Sequence, residues 1–210
     1  MMSYKKAIGV VAVFAGTLIA AQAAVVLNFN NLISGTQPGG TGPFVTVTIT
    51  DVATNKINLR VDHNAGSASG QFVSYVMLNL GAIPGSPAFS SVLNQNKLSG
   101  NNTSAIQFGN DAFNGVGGAN FDLRVNFNVS NAGGGVNRLK AGEFFSTDIS
   151  AVGLDSSDFG SVVNGRIGEV HVQGIGQDGE FSGKLDAVPE PGTMVALGLG
   201  AIALIRKRRR

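Results

Sequence analysis

Residues 44–52, FVTVTITDV, place Phe44, Thr46, Thr48 and Thr50 on one face of an extended chain and Val45, Val47, Ile49 and Asp51 on the other. Side chains alternate with a period of two only in a strand, so this stretch reads as a half-buried β-strand. The same period recurs. Residues 56–64, KINLRVDHN, bury Ile57, Leu59 and Val61 and expose Asn58, Arg60 and Asp62. Residues 120–130, NFDLRVNFNVS, turn Phe121, Leu123, Val125, Phe127 and Val129 inward against Asp122, Arg124, Asn126 and Asn128. Residues 168–176, GEVHVQGIG, give Val170, Val172 and Gly174 one face. Residues 71–80, QFVSYVMLNL, are apolar almost throughout, as suits a central strand covered on both sides. Residues 24–32 and 103–110 are weaker strand candidates, and 88–97 suits a short helix or a loop.

Between these runs lie SGTQPGGTGP, HNAGSASG, GAIPGSP, NGVGGAN, SNAGGGVN and GQDGEFSG. Glycine frees positive φ and proline fixes φ, so such tracts punctuate strands. Strands follow strands with no amphipathic helix between them. The pattern predicts an all-β fold: an antiparallel two-sheet sandwich, jelly-roll or immunoglobulin-like, of about eight strands. A barrel is the alternative, and no repeat of stable period is present. Cysteine and tryptophan are both absent. That excludes a cysteine nucleophile, thiolate zinc sites, c-type haem attachment and iron–sulfur clusters, and it removes the indole platform of many sugar-binding modules.

The two ends carry a different signal. Lys5 and Lys6 precede an apolar run over 7–21 that leads into Ala21-Gln22-Ala23. A basic start, an apolar middle and a small-x-small site make a secretory signal peptide. Ala21 and Ala23 form the signal peptidase site, with cleavage expected after Ala23; an uncleaved anchor is the alternative. At the other end stand Pro189-Glu190-Pro191. The uncharged run Thr193, Met194, Val195, Ala196, Leu197, Gly198, Leu199, Gly200, Ala201, Ile202, Ala203, Leu204 and Ile205 follows, and then the basic cluster Arg206, Lys207, Arg208, Arg209 and Arg210. As a helix the uncharged run rises roughly 20 Å, against a hydrocarbon core about 30 Å thick. It is short for a lasting anchor. The basic cluster stops transfer and stays cytoplasmic by the positive-inside rule. Pro189 and Pro191 keep Glu190 in an extended stretch near the outer surface. The chain therefore divides into a signal peptide (1–23), an all-β extracytoplasmic domain (24–187) and a sorting signal (188–210), the domain being flanked by an N-terminal signal helix and a C-terminal hydrophobic helix. Seven of the fifteen cations and one of the thirteen acids, Glu190, lie in the two ends, which leaves eight cations against twelve acids in the domain. A net charge of this sign offers no nucleic-acid surface.

Pro-Glu-Pro, the Gly/Ala/Leu-rich span and the terminal cations, in that order, resemble the sorting tail of the PEP-CTERM family of exported bacterial proteins. The resemblance covers residues 188–210 only. It implies that an exosortase, a membrane-embedded thiol transpeptidase, cuts near Pro189-Glu190-Pro191 and passes the protein to the cell envelope or to an exopolysaccharide matrix. A tail anchor that is never cut is the competing reading. The segments GEFFSTDISAVGLDSSDF and VHVQGIG also look like parts of PEP-CTERM ectodomains, with no activity attached to them.

Candidates for chemistry inside the domain are few. His63 and His171 are the two histidines. His63 ends a strand and is expected to be solvent-exposed; His171 is expected to be a surface or hydrogen-bonded strand residue. No GxSxG elbow accompanies them. Glu143, Glu169 and Glu180, with Asp148, Asp155 and Asp158, cannot be paired by spacing into the two carboxylates a glycosidase needs. Asp155 and Asp158 share one turn and are calcium candidates, with Asp111 and Asn114 nearby in GNDAFNG, but their spacing is not that of an EF-hand and both residue types are ordinary turn formers. GGGVNRLK lacks a Walker pattern and reads as a hairpin tip. No cofactor is expected. The sequence thus predicts a non-enzymatic, structural exported protein associated with exopolysaccharide, handled by export machinery, signal peptidase and exosortase. The alternatives are a carbohydrate-binding module, calcium-assisted or not, and, less favoured, a secreted hydrolase.

Overall fold

The computed structural model describes residues 24–81, 85–93, 97–99, 105–160, 162 and 165–189. Its strands are β1 (Val25–Gly35), β2 (Val45–Ala53), β3 (Lys56–His63), β4 (Phe72–Leu78), β5 (Gly85–Leu93), β6 (Ile106–Asn114), β7 (Asn120–Asn126), β8 (Leu139–Lys140), β9 (Phe144–Val152), β10 (Gly168–Ile175) and β11 (Phe181–Pro189). They form one sheet in the order β5-β9-β3-β2-β1-β11-β10-β4-β7-β6, with β8 added to β4. The pairings are antiparallel.

The alternation read from the sequence sets the pleat. Val45, Val47 and Ile49 of β2, Ile57, Leu59 and Val61 of β3, Leu123 and Val125 of β7 and Val170 and Val172 of β10 are all fully buried in one core. Leu27 and Phe29 of β1 and Leu185 of β11 join them. The sheet curls on itself. Phe127, just past β7, meets Phe145 of β9 edge to face, ring centroids 5.5 Å apart, although β7 and β9 lie near opposite ends of the strand order. The expected pair of separate sheets is therefore two facing halves of a single curled sheet, linked through β1 and β11. The expected flanking helices fall on residues outside those described.

Further positions bear out or overturn the expectations. The 88–97 region contributes to β5, which pairs with β9; its polar, β-branch-poor sequence hid an edge strand. The weak candidate at 24–32 is β1, in the middle of the sheet. Val129 lies past the end of β7 and is 48% exposed. His63 is buried at 1% exposure. The strand end does not emerge into water there, because the turn after β8 crosses it: His63 N donates to the Glu143 carbonyl (2.9 Å) and Gly142 N to the His63 carbonyl (2.7 Å). Asp122 is buried as well, and its carboxylate is satisfied by the Leu80 and Asp111 amides at 3.0 and 2.8 Å.

One hairpin shows how local sequence fixes register. Ala53 faces Lys56, leaving Thr54-Asn55 as a two-residue loop. Asn55 takes φ 60°, which its short polar side chain tolerates, and its Oδ1 accepts the Gly153 amide at 2.9 Å, tying the β2–β3 tip to the end of β9.

Phe29→Ala should destabilise the domain by about 3–5 kcal/mol, the cost of removing a fully buried aromatic ring, whereas Val152→Ala at an 84% exposed site should stay within about 0.5 kcal/mol. Urea unfolding followed by circular dichroism checks both.

Candidate functional site

The first and last strands lie side by side. In their register Leu27 faces Pro189, Asn28 faces Val188 and Phe29 faces Ala187. β11 thus runs two residues past the boundary expected at 187, and Pro189, the first residue of the tripeptide, is its last paired position. The start of β1 and the end of β11 leave the domain together at one pole. Glu190, Pro191, the span 193–205, the cluster 206–210 and the Ala21/Ala23 site lie outside the described residues.

The opposite pole carries a groove of about 690 Å³. It sits where β10 ends, β11 begins and β4 begins, roughly 25 Å along β11 from Pro189 at about 3.3 Å per residue. Phe72, Asn131, Arg138, Gln173, Gln177, Asp178, Glu180 and Phe181 line it. The Arg138 guanidinium stacks over the Phe72 ring at 4.0 Å and donates from Nε and Nη2 to the Val129 carbonyl at 3.1 and 2.8 Å, which fixes its plane. Phe181 presents a ring that is half exposed. Gly174 makes the groove floor possible: it holds φ 76°, and a Cβ there would lie 2.4 Å from the Gly70 carbonyl oxygen. Sequence reading treated GQDGEFSG as punctuation between strands and missed its polar lining. The signal was there, in amides, acids and one aromatic concentrated in a hairpin tip.

A second polar region lies on the outer face of β4, β10 and β11. Glu169 is fully buried. Its carboxylate accepts the Tyr75 hydroxyl at 2.9 Å and the Val116 amide at 2.8 Å, and it is ion-paired with Arg166 and Lys184 at 3.5 Å each. The 115–119 segment closes over it, and Gly115 is required there, since a Cβ would lie 2.4 Å from the Phe121 ring. Burial, and then the Glu169 charge, push the Tyr75 phenol above its ordinary range. Next along β10, His171 Nδ1 lies 2.8 Å from Ser74 Oγ, and the rings of His171 and Tyr75 are 5.1 Å apart. Ser74 is itself buried, and its hydroxyl also reaches the His171 carbonyl at 3.2 Å. The contact is that of a serine held between strands.

The other candidate carboxylates are dispersed. Asp148 is held by Asn58 and by Lys56, each at 2.8 Å, and these contacts keep its carboxyl below the ordinary range. Glu143 accepts the Lys140 amide at 2.8 Å, and Glu180 lines the groove. Asp155 accepts the amide and hydroxyl of Ser157, and Asp158 accepts the Asp155 amide at 3.1 Å. These carboxylates cap the short 3₁₀ turn Ser156–Gly160, which Asp51 anchors through the Ser156 amide and hydroxyl at 2.7 Å each. Among the described residues no group of three acids or histidines is gathered as metal ligands. Asp111 lies on β6, bound to Asp122, and does not join Asp155.

The class this geometry defines is an all-β domain whose last strand ends at Pro189. The model of the PEP-CTERM protein-sorting motif matches residues 187–210. The chain carries that motif, which implies an exported, membrane-anchored precursor processed by an exosortase. No curated protein and no solved structure matches the chain.

Burial lowers the pKa of both histidines. For His63 the Leu139 carbonyl, 3.1 Å from Nδ1, and Glu143 oppose the effect; for His171 Lys184 and Arg124 add to it and Glu169 opposes it. A depressed folded-state value means that the unfolded chain binds more protons. This contribution to stability is present above the unfolded value of about 6.5 and is lost as pH falls through the folded values. Unfolding free energy should therefore drop as pH is lowered from 7.5 toward 5. A His63→Gln/His171→Gln variant should show a flatter profile in the same denaturant titrations. Asp186, whose carboxyl burial pushes up, acts in the opposite sense in acid and is common to both proteins.

Proposed function

We propose that the chain is exported, trimmed by signal peptidase after Ala23, held at the membrane by residues 193–205 and cut near Pro189-Glu190-Pro191 by an exosortase. The β-domain is then delivered to the cell envelope or exopolysaccharide matrix, where it serves a structural role without catalysis. The observation that carries this reading is the motif match over 187–210, which starts inside β11. The folded domain is the cargo, joined to its address without a linker. As a scaffold, the facing halves of the curled sheet act as the two layers of a β-sandwich.

A specific observation favours carbohydrate binding as a second reading. The groove combines an exposed ring at Phe181 with the amides of Asn131, Gln173 and Gln177 and the acids Asp178 and Glu180. An aromatic face and planar bidentate groups suit polyhydroxylated rings. The groove opens at the pole opposite the sorting signal, so an anchored precursor would present it outward. Calcium assistance through Asp155 and Asp158 gains no support, because those carboxylates cap a turn.

Two outcomes follow. The mature wild-type chain should lack Arg206 to Arg210 by mass spectrometry, while a variant with alanine at 189, 190 and 191 should accumulate in membranes with Arg210 intact; equal maturation of both would remove the processing role of the tripeptide. Phe181→Ala with Gln177→Ala should weaken binding to the producer's own polysaccharide about tenfold, or about 1.4 kcal/mol, with Val152→Ala leaving it unchanged.

A further inference from the structure

We propose that β1 restrains the processing step: the last three residues of β11 must peel away from Leu27, Asn28 and Phe29 before the sorting enzyme can seat its substrate. This inference rests on the reading that the chain is cut near Pro189-Glu190-Pro191.

Two boundaries coincide. The ladder between β11 and β10 stops at the pair Glu169 and Asp186. The ladder between β11 and β1 continues for three more positions, Ala187 with Phe29, Val188 with Asn28 and Pro189 with Leu27. The sorting-motif match begins at residue 187. The motif therefore opens at the first residue that has lost one of its two strand neighbours. At that point the Ala187 amide donates to the carboxylate of Asp186 at 2.9 Å.

A processing cleft binds its substrate as an extended segment through main-chain hydrogen bonds, in the manner of an added strand. It contacts residues on the N-terminal side of the scissile bond as well as the bond itself. Those residues are 187–189. While they are laddered to β1, their backbone on that side is occupied and the folded domain stands against the cut. β1 is not free to yield, because Leu27 and Phe29 are buried in the core, and β2 holds its other edge through the pairs Leu27 with Val47 and Phe29 with Val45. The mobile partner is the end of β11. It is held on one side, and proline at 189 brings no amide hydrogen to its last position. Local opening of a strand end of this kind belongs to the low-stability end of a protein's motions. Leu27, Asn28 and Phe29 are thus positioning residues for processing, since they set how often the substrate segment is available.

The test uses the full chain in the producing cells. Cysteine is absent from the natural sequence, so Asn28→Cys with Val188→Cys introduces one defined pair. Facing residues of an antiparallel ladder lie about 4.5–5.5 Å apart at Cα, within disulfide range. A second variant inserts Gly-Ser-Gly-Ser-Gly-Ser between Asp186 and Ala187, which carries the whole matched motif past Val25, the first residue of β1. Loss of the C-terminal cluster is followed by mass over time. The oxidised pair should slow processing at least tenfold relative to either single substitution, a permeant thiol reductant should restore it, and the insertion should speed it about threefold or more. Processing of the oxidised pair at the wild-type rate, slowing that reductant does not reverse, or an insertion without effect would each overturn the proposal. If the wild-type chain itself keeps Arg210, the processing reading fails first and this inference falls with it.

Discussion

The ladder between β1 and β11 decides where everything else in this domain lies. Hydrogen bonding between strands so far apart in sequence closes a long loop, and its entropic cost is recovered only because both strands are driven into the same core. Leu27, Phe29 and Leu185 supply that drive, each at or near complete burial. Once the two strands pair in antiparallel register, the start of β1 and the end of β11 lie at one pole and the β10–β11 hairpin tip is carried to the other. The end of β11 and the groove are thereby held at opposite poles of the domain.

One of the buried polar groups lies on β10, the strand next to the β1–β11 seam. Glu169 sits beside it on the outer face, buried, with two hydrogen-bond donors and two cations around its oxygens. A buried carboxylate is tolerable only when its lone pairs are satisfied in this way. The network joins four pieces of chain: Tyr75 on β4, the 115–119 cover, Arg166 before β10, and Lys184 on β11. It favours one arrangement of these elements over others in which the carboxylate would be left bare.

Much of the interior could be read from the sequence, because a period of two is a direct image of a sheet's two faces. The alternation at 45–49 and 57–61 gave inward and outward sides that the structure keeps; at 121–125 it placed Leu123 and Val125 in the core and missed the burial of Asp122. The tail was legible for a different reason, since its order of Pro-Glu-Pro, apolar run and cations has few other uses. What the sequence concealed depends on contacts distant along the chain. His63 is buried by a turn some 80 residues later, which no local pattern records. β5 is a strand because β9 offers it an edge. The single curled sheet, in place of two, follows from β1 and β11 pairing across nearly the whole domain. The groove side chains were visible as residues but not as neighbours, for they come from the start of β4, the segment before β8 and the β10–β11 tip.

Amide hydrogen exchange along β11 tests the central claim most directly. If the strand is sewn between β1 and β10 up to Asp186 and held on one side beyond it, the Leu185 amide should exchange only through global opening, and the Val188 amide should exchange at least about a hundredfold faster through local fraying. Uniform protection from Leu185 through Val188, or a Leu185 amide that exchanges as readily as a loop, would contradict the account.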